Sequence, residues 1–408
     1  MLKTGLLTCA LLAAAASPSL AQVVAANPAA FTQSLRDARV GIITGGAGGT
    51  YLQLGADLQR LVEGAAQGSD LRVLPTVGRG SVGNLQDLLY LENVDFSFVQ
   101  ADVLHSIRLK KPEEFEYLKS RVAYVTRLYP EVIHIVARGG ARRPEDLRGK
   151  TVAIGGAGGG SALTAPIVLR DLLKVEFAAS PMGPQEALNN LLSDSPTIDA
   201  FVYVSGRGSP LFTFFSPEME ARIREKGVGF VALPEPPQNS GAPYERMTIR
   251  DSDYPALIPE GAGVSAWGVP AVLAVYNWDT DQTSRTRQRY RRMEQFIETF
   301  FSRRHDLNDG PGGYNENWCN VDIGQSLDGW DGWTRLRAGQ EWLTAHPRAK
   351  TAVCAARPGD VGFLMAYECA PFHAHLARID LRLEDLAEPE TMFERWLESN
   401  PNGCAGTL

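Results

Sequence analysis

Hydrophobic runs and amphipathic stretches alternate along this chain from residue 40 onward. Short runs rich in β-branched residues predict strands at 40–43, 71–76 and 95–99. The stretches between them have helical spacing of apolar residues and predict helices over 51–63 and 81–92. Repeated strand–helix alternation is typical of an α/β fold with a mostly parallel sheet and helices on both faces.

The alternation continues through the middle of the chain, with a proline-rich surface loop at 233–240. Further strands are predicted at 122–128, 132–137 and 198–204, and further helices at 162–173 and 185–192. An apolar stretch at 264–276 is long enough to cross back from a second lobe to the first. A helix over 283–302 would then complete the two-lobe body.

Two glycine-rich loops, about 110 residues apart, have nearly the same sequence. The first is Thr44-Gly-Gly-Ala-Gly-Gly-Thr50, and the second is Gly155-Gly-Ala-Gly-Gly-Gly-Ser161. Each follows a predicted strand and opens a predicted helix, so free backbone N–H groups lie at the positive end of a helix dipole. The pair suggests two lobes that point helix N-termini into a shared cleft, although each loop alone could be a tight turn without a ligand.

A nucleotide site is disfavoured at both loops. Tyr51 and Ser161 stand where the third glycine of a dinucleotide fingerprint belongs, and no Lys-Ser/Thr pair follows either loop. The net charge is −7 with no strong Lys/Arg cluster, which also disfavours nucleic-acid binding. The exception, the basic run at 285–292, is interpreted as a solvated helix face.

The N-terminus has the pattern of a cleavable signal peptide. Lys3 supplies the positive charge, residues 6–16 the apolar core, and Ser19-Leu20-Ala21 the small-residue cleavage site. We expect cleavage after Ala21 and export to the periplasm; a lipoprotein anchored through Cys9 is the weaker alternative.

The sequence changes character after residue 305. A glycine-rich linker at 310–313 precedes several tryptophans and four cysteines, which predict a mainly helical C-terminal appendage. An even, localised set of cysteines in an oxidising compartment is typical of disulfides. Among the three pairings, Cys319–Cys354 with Cys369–Cys404 is preferred and the others stay open. A metal cluster built on Cys369, His373 and His375 is disfavoured.

An ordered set of motifs resembles the TAXI-family solute receptors of TRAP transporters. After the first glycine loop come Gly80-Ser-Val-Gly-Asn84, Asp95-Phe-Ser-Phe-Val-Gln-Ala-Asp102 and Asp146-Leu-Arg-Gly-Lys-Thr-Val-Ala-Ile-Gly155. Two short matches follow at 199–201 and 254–257, so the resemblance covers roughly residues 36–305. The chain departs from the family at Gly159, where such receptors usually have a serine.

The resemblance implies a two-lobe α/β clamshell of the periplasmic-binding-protein type (type II-like). Lobe 1 would comprise 36–137 and 258–304, lobe 2 would comprise 138–257, and the appendage would comprise 305–408. The matched positions offer hydroxyls, amides, a phenol and glycine backbone to a small anion. The expected ligand-binding residues are Gly48, Gly49, Thr50, Tyr51, Ser81, Asn84, Gln100, Gly158, Gly160 and Ser161. Asp102 could accept an ammonium group of the ligand, or cap the following helix.

The resemblance further implies a monomeric periplasmic receptor that delivers its ligand to the membrane subunits of a TRAP permease. The ligand would be a dicarboxylate, a 2-oxoacid or an acidic amino acid, without cofactor or metal. Scattered histidines and the absence of a Gly-x-Ser-x-Gly elbow give no catalytic constellation. A receptor module for a signalling partner, or a secreted enzyme on the same fold, are the alternatives.

Overall fold

The computed structural model of the 408-residue chain describes most of residues 39–354 and parts of residues 370–400. The expected signal peptide, Cys369 and Cys404 lie outside the described residues. The described ranges are 39–64, 71–278, 283–308, 313–327, 333–347, 351–354, 370–379, 381–382, 392–393, 396 and 399–400.

Ten strands of the described chain form one sheet, in the order β2-β1-β3-β10-β4-β7-β5-β6, with β8 beside β4 and β9 beside β10. The strands are β1 (Arg39–Ile43), β2 (Arg72–Thr76), β3 (Phe96–Gln100), β4 (Val122–Ala137), β5 (Thr151–Ala153), β6 (Ala178–Ser180), β7 (Ala200–Ser205), β8 (Gly229–Phe230), β9 (Glu245–Arg250) and β10 (Gly263–Tyr276).

Helices cover both faces of this sheet. They are α1 (Thr50–Gly64), α2 (Ser81–Tyr90), α3 (Asp102–Lys110), α4 (Pro112–Arg121), α5 (Gly160–Pro166), α6 (Pro184–Leu191), α7 (Pro210–Thr213), α8 (Pro217–Glu225), α9 (Ser284–Ser302), α10 (Arg337–Ala345) and α11 (Ala370–Arg378). Short 3₁₀ segments lie at Pro144–Leu147, Arg304–Leu307 and Glu316–Asn320.

The sheet is mixed, whereas the sequence pattern predicted a mostly parallel one. The ladders β1–β3, β5–β6 and β5–β7 are parallel, but β10 runs antiparallel to β3, β4 and β9, and β4 runs antiparallel to β7 and β8. The two long strands β4 and β10 cause the difference, because a strand that crosses from one half of the sheet enters the other half in the opposite direction.

Two long strands pass between the halves of the sheet. The sequence predicted two strands at 122–128 and 132–137, but the structure has one continuous strand, β4. Pro130 on β4 lies opposite Pro270 on β10, and the register of this ladder shifts immediately afterwards. Proline has no N–H to donate, so the ladder is interrupted at the place where both strands change from one half to the other.

The buried apolar residues divide at these prolines. Two clusters draw on residues 40–129 and 271–353, and the other two draw on residues 132–269. The fold is therefore α/β with two lobes, and we use lobe 1 for the first set of residues and lobe 2 for the second. The exact lobe and appendage boundaries expected from sequence stay predictions.

The predicted helix at 162–173 differs from the observed one. Helix α5 ends at Pro166, and the chain continues as a π-helical turn over Ile167–Leu172. Pro166 lacks the N–H that would bond to an earlier carbonyl, so regular α-helical bonding does not persist through this point.

The described C-terminal residues are mostly helical, and those between 314 and 354 pack onto lobe 1. Trp318, Val321, Trp342 and Val353 belong to the larger lobe 1 core. Backbone bonds join Val353 to Val321 and Ile323 to Thr351. The predicted Cys319–Cys354 disulfide is confirmed, with its Cα atoms 4.6 Å apart.

Removing this disulfide should destabilise lobe 1. For the double variant Cys319→Ser/Cys354→Ser we expect the free energy of unfolding to fall by about 2–4 kcal/mol, because the unfolded chain loses a constraint on its conformations. Chemical denaturation followed by tryptophan fluorescence measures the change. Unfolding curves that coincide with those of the parent protein would show that the bridge does not support this core.

Candidate functional site

Both glycine-rich loops line one cavity between the lobes, with a volume of about 710 Å³. The first loop connects β1 to α1 in lobe 1, and the second connects β5 to α5 in lobe 2. Because the two loops leave the carboxyl ends of their strands, both helix N-termini are directed to the same cleft. The duplication in the sequence therefore corresponds to two walls of one cavity.

Eight of the ten residues expected to bind ligand line this cavity. They are Gly48, Gly49, Thr50, Tyr51, Ser81, Gln100, Gly160 and Ser161. Asn84 and Gly158 are not among its lining residues.

Asn84 holds the first glycine loop in place from behind. Its side chain is fully buried, and its Nδ2 donates to the carbonyl oxygens of Thr44 at 2.7 Å and Phe98 at 2.8 Å. Its Oδ1 accepts from the Gly80 N–H at 3.2 Å. Every polar atom of this amide thus has a protein partner, and the residue positions the loop without facing the cavity.

Gly158 forms a contact between the two lobes. Its carbonyl oxygen accepts from the Gly83 N–H at 3.0 Å, and its φ of 88° favours glycine. Beside it, a Cβ added to Gly80 would lie 2.9 Å from the Cα of Gly159. Side chains would keep the loops apart here, so the glycines permit the lobes to meet backbone to backbone.

The hydroxyl residues that open the two helices occupy equivalent positions. Thr50 Oγ1 accepts from the Gly206 N–H at 3.3 Å, and Ser161 Oγ accepts from the Val204 N–H at 2.9 Å. Each of these bonds uses a lone pair of the oxygen, and it leaves the O–H hydrogen for a different acceptor. Both side chains line the cavity, so both could donate to a bound anion.

Glu131 is the main lining residue that sequence reasoning missed. It lies on β4 immediately after Pro130, it is 5% exposed, and its Oε2 accepts from the Tyr51 hydroxyl at 2.5 Å. Burial raises the pKa of this carboxyl to about 8, with the nearby Asp102 adding to the rise and the Tyr51 hydrogen bond opposing it. Glu131 is therefore largely uncharged at neutral pH, and no local sequence pattern marks it.

Among the described lining residues, Arg79 and Glu131 are the two whose side chains can ionise to carry a full charge near neutral pH. The Arg79 guanidinium pairs with Asp87 at 2.8 Å at the exposed rim of the cavity. Gln100 is buried, and its Oε1 has no hydrogen-bond partner among the described residues. The oxygen atom itself is enclosed by protein, so it is an unfavourable buried group behind the cavity wall and not a contact open to a ligand.

Asp102 makes contacts that neither of the roles considered from the sequence describes. It is the first residue of α3 and does not line the cavity. Its Oδ2 accepts from the Thr164 hydroxyl at 2.7 Å and the Tyr244 hydroxyl at 2.9 Å, both in lobe 2. Burial raises its pKa to about 6. The carboxyl group therefore joins the lobes beside the cavity.

The titratable side chains in the part of the chain that the structure describes form no metal cluster. No group of three or more His, Cys, Asp and Glu side chains there could hold a metal ion. His134 lies in the core of lobe 2, where its Nε2 is 2.7 Å from the Tyr254 hydroxyl and burial lowers its pKa to about 3. Within the described residues, no helix is both long enough and apolar enough to cross a membrane.

The part of the chain that lines the cavity matches the model of a known protein family. Residues 42–228 match the model of the NMT1-like family, and this region contains both glycine loops. The match covers slightly less than half of the chain.

Solved structures of periplasmic binding proteins are also similar to this chain. A Candida albicans protein described as having the generic periplasmic binding protein fold shares 13% identity over 75% of this chain and 80% of its own, with a TM-score of 0.39. A zinc-bound ligand-binding component of an ABC-type import system from Staphylococcus aureus shares 13% identity over 75% and 90%, with a TM-score of 0.39.

A TRAP periplasmic solute binding protein from Shewanella oneidensis with bound succinate shares 12% identity over 64% of this chain and 78% of its own, with a TM-score of 0.33. Because all three TM-scores are below 0.5, these likenesses carry no weight for the ligand or the partner of this chain.

The buried Glu131 should make folding stability depend on pH. Folded Glu131 keeps its proton up to about pH 8, whereas the unfolded residue releases it near its ordinary value of 4.5. The folded state thus holds more protons, so the free energy of unfolding should fall as the pH rises through this interval.

The variant Glu131→Gln should remove this dependence between pH 6 and 8, where the comparable contribution of Asp102 is already complete. Urea denaturation of both proteins at intervals of half a pH unit measures it. Parallel stability curves for the two proteins would mean that Glu131 is charged in the folded state.

Proposed function

We propose that this chain is an exported solute receptor of the TAXI type, which binds a small organic anion between its lobes and delivers it to a TRAP permease. The motif resemblance over roughly residues 36–305 and the NMT1-like match over 42–228 support this assignment. The protein acts as a monomer in the periplasm after cleavage behind Ala21.

The observation that carries the proposal is the pairing of two helix N-termini across one cavity. The N–H groups of the loops at 44–50 and 155–161 are concentrated around the same space, and helix dipoles favour negative charge there. The hydroxyls of Thr50 and Ser161 line the same cavity, and the backbone bonds that their oxygens accept do not use the O–H hydrogens. An anion would replace the water at these donors without needing a metal or cofactor.

The electrostatics of the cavity are compatible with a negatively charged ligand. Glu131 would repel a carboxylate if it were ionised, but with a pKa of about 8 it is largely neutral at pH 7. A protonated carboxyl can also donate a hydrogen bond to an anionic oxygen. Arg79 adds positive charge at the rim.

Ligand charge provides the first test. In a thermal-shift panel we expect acidic amino acids and dicarboxylates to raise the melting temperature, because binding to the folded state stabilises it. The matched amides and esters should give much smaller shifts, since they lack the charge that the helix ends favour. Stabilisation by neutral sugars alone would overturn the anion assignment.

Substitution of the two hydroxyls provides the second test. Thr50→Val and Ser161→Ala should each weaken anion binding by about ten- to a hundredfold, the effect of losing a hydrogen bond of about 1.5–3 kcal/mol to a charged group. Calorimetric titration gives the affinity, and thermal melts give the stability of each variant.

The matched control is Ser216→Ala. Ser216 caps helix α8 by accepting from the Met219 N–H, away from the cavity. This variant should lose some stability but keep its affinity. If Thr50→Val and Ser161→Ala behave in the same way as this control, the two hydroxyls belong to the scaffold and not to the site.

A further inference from the structure

A short C-terminal segment, residues 315–319, lies against the first helix of the candidate site. Trp318 is fully buried, and its Nε1 donates to Asp57 Oδ2 at 2.9 Å. The Asn315 N–H donates to the same oxygen at 2.9 Å. Asp57 lies on α1, the helix that begins at Thr50, so this buried carboxylate anchors the segment to lobe 1.

The same segment contacts a loop of lobe 2. The buried side chain of Asn317 donates from Nδ2 to the Arg207 carbonyl oxygen at 3.4 Å, a long hydrogen bond. A Cβ added to Gly206 would lie 2.7 Å from Asn317 Nδ2 and 3.0 Å from Thr50 Oγ1. Gly206 is thus held between Asn317 and Thr50, without room for a side chain.

This loop forms part of the cavity wall. Ser205 and Ser209, on either side of residues 206–208, both line the cavity. The Gly206 N–H is the donor to Thr50 Oγ1, one of the two hydroxyls expected to bind the ligand. A contact that fixes Gly206 therefore also fixes the orientation of Thr50.

We propose that residues 315–319 form a clasp, which holds the 206–209 loop of lobe 2 against Thr50 and so positions the ligand-binding hydroxyl. Asn317 is the positioning residue, Asp57 anchors the clasp to α1, and the Cys319–Cys354 disulfide ties it to the rest of the C-terminal region. The part of the proposal that concerns the ligand rests on the proposed function.

Hydrogen–deuterium exchange of the ligand-free protein tests the clasp directly. In Asn317→Ala we expect the backbone N–H groups of residues 206–209 to exchange several times faster, because the loop loses its contact with the Asn317 side chain. Asn320→Ala is the matched control, since Asn320 lies in the same 3₁₀ segment but is exposed. Equal exchange rates at 206–209 in both variants would overturn the clasp.

A compensating pair of substitutions tests the crowding at Gly206. Gly206→Ala places a methyl group against Asn317 and Thr50, so binding of glutamate or succinate should weaken by about tenfold or more. Adding Asn317→Ala removes one of the crowding groups and should recover part of this loss. Additive losses in the double variant would contradict the arrangement. Thermal melts of all three variants identify any loss caused by unfolding.

The two measurements separate the clasp from the proposed function. Exchange at 206–209 needs no ligand, so faster exchange in Asn317→Ala supports the clasp even if no small anion binds. If Asn317→Ala binds the anion tightly and its exchange at 206–209 is unchanged, the result would instead support the receptor function and overturn the clasp.

Discussion

The arrangement of the two lobes depends on the pairing of β4 with β10. These two strands continue from one lobe to the other, and the buried cores divide where Pro130 lies opposite Pro270. Elsewhere in the ladder, backbone hydrogen bonds resist bending, but prolines cannot donate, so the strands are least constrained at this point. The cavity lies beside this crossing, because Glu131 follows Pro130 directly and lines its wall.

A second constraint is electrostatic. Glu131 and Asp102 are both carboxyl groups buried close to the cleft, and burial favours the protonated form of each. Ionising both in a poorly solvated region would be unfavourable, since the negative charge of Asp102 adds to the rise in the pKa of Glu131. Beside the cavity the lobes thus meet through hydrogen-bonded carboxyl and hydroxyl groups and through glycine backbone, and under the proposed function the ligand supplies the negative charge that the helix ends favour.

Much of the fold could be predicted from the sequence because its signals are local. The periodicity of apolar residues located β1, α1, β3 and the second glycine-loop unit, and the repeated glycines indicated that both loops serve one cleft. The sequence could not place Asn84, because a polar residue at a helix start can face a ligand or hold a loop. In the structure its side chain makes three hydrogen bonds to protein groups and holds the loop in place. These partners lie up to 40 positions away along the chain.

By itself, the sequence determined most of the strand–helix order and the two helix N-termini, since these depend on residue type and spacing along the chain, whereas it left the Cys319–Cys354 pairing as one of three, which the structure selects. Only the tertiary structure decided the antiparallel centre of the sheet, the protonation of Glu131 and the contact of Asn317 with the 206–209 loop. These features depend on burial and on which distant segments meet. A pKa is set by the solvent that folding removes, and a contact across 110 residues leaves no periodic signal in the chain.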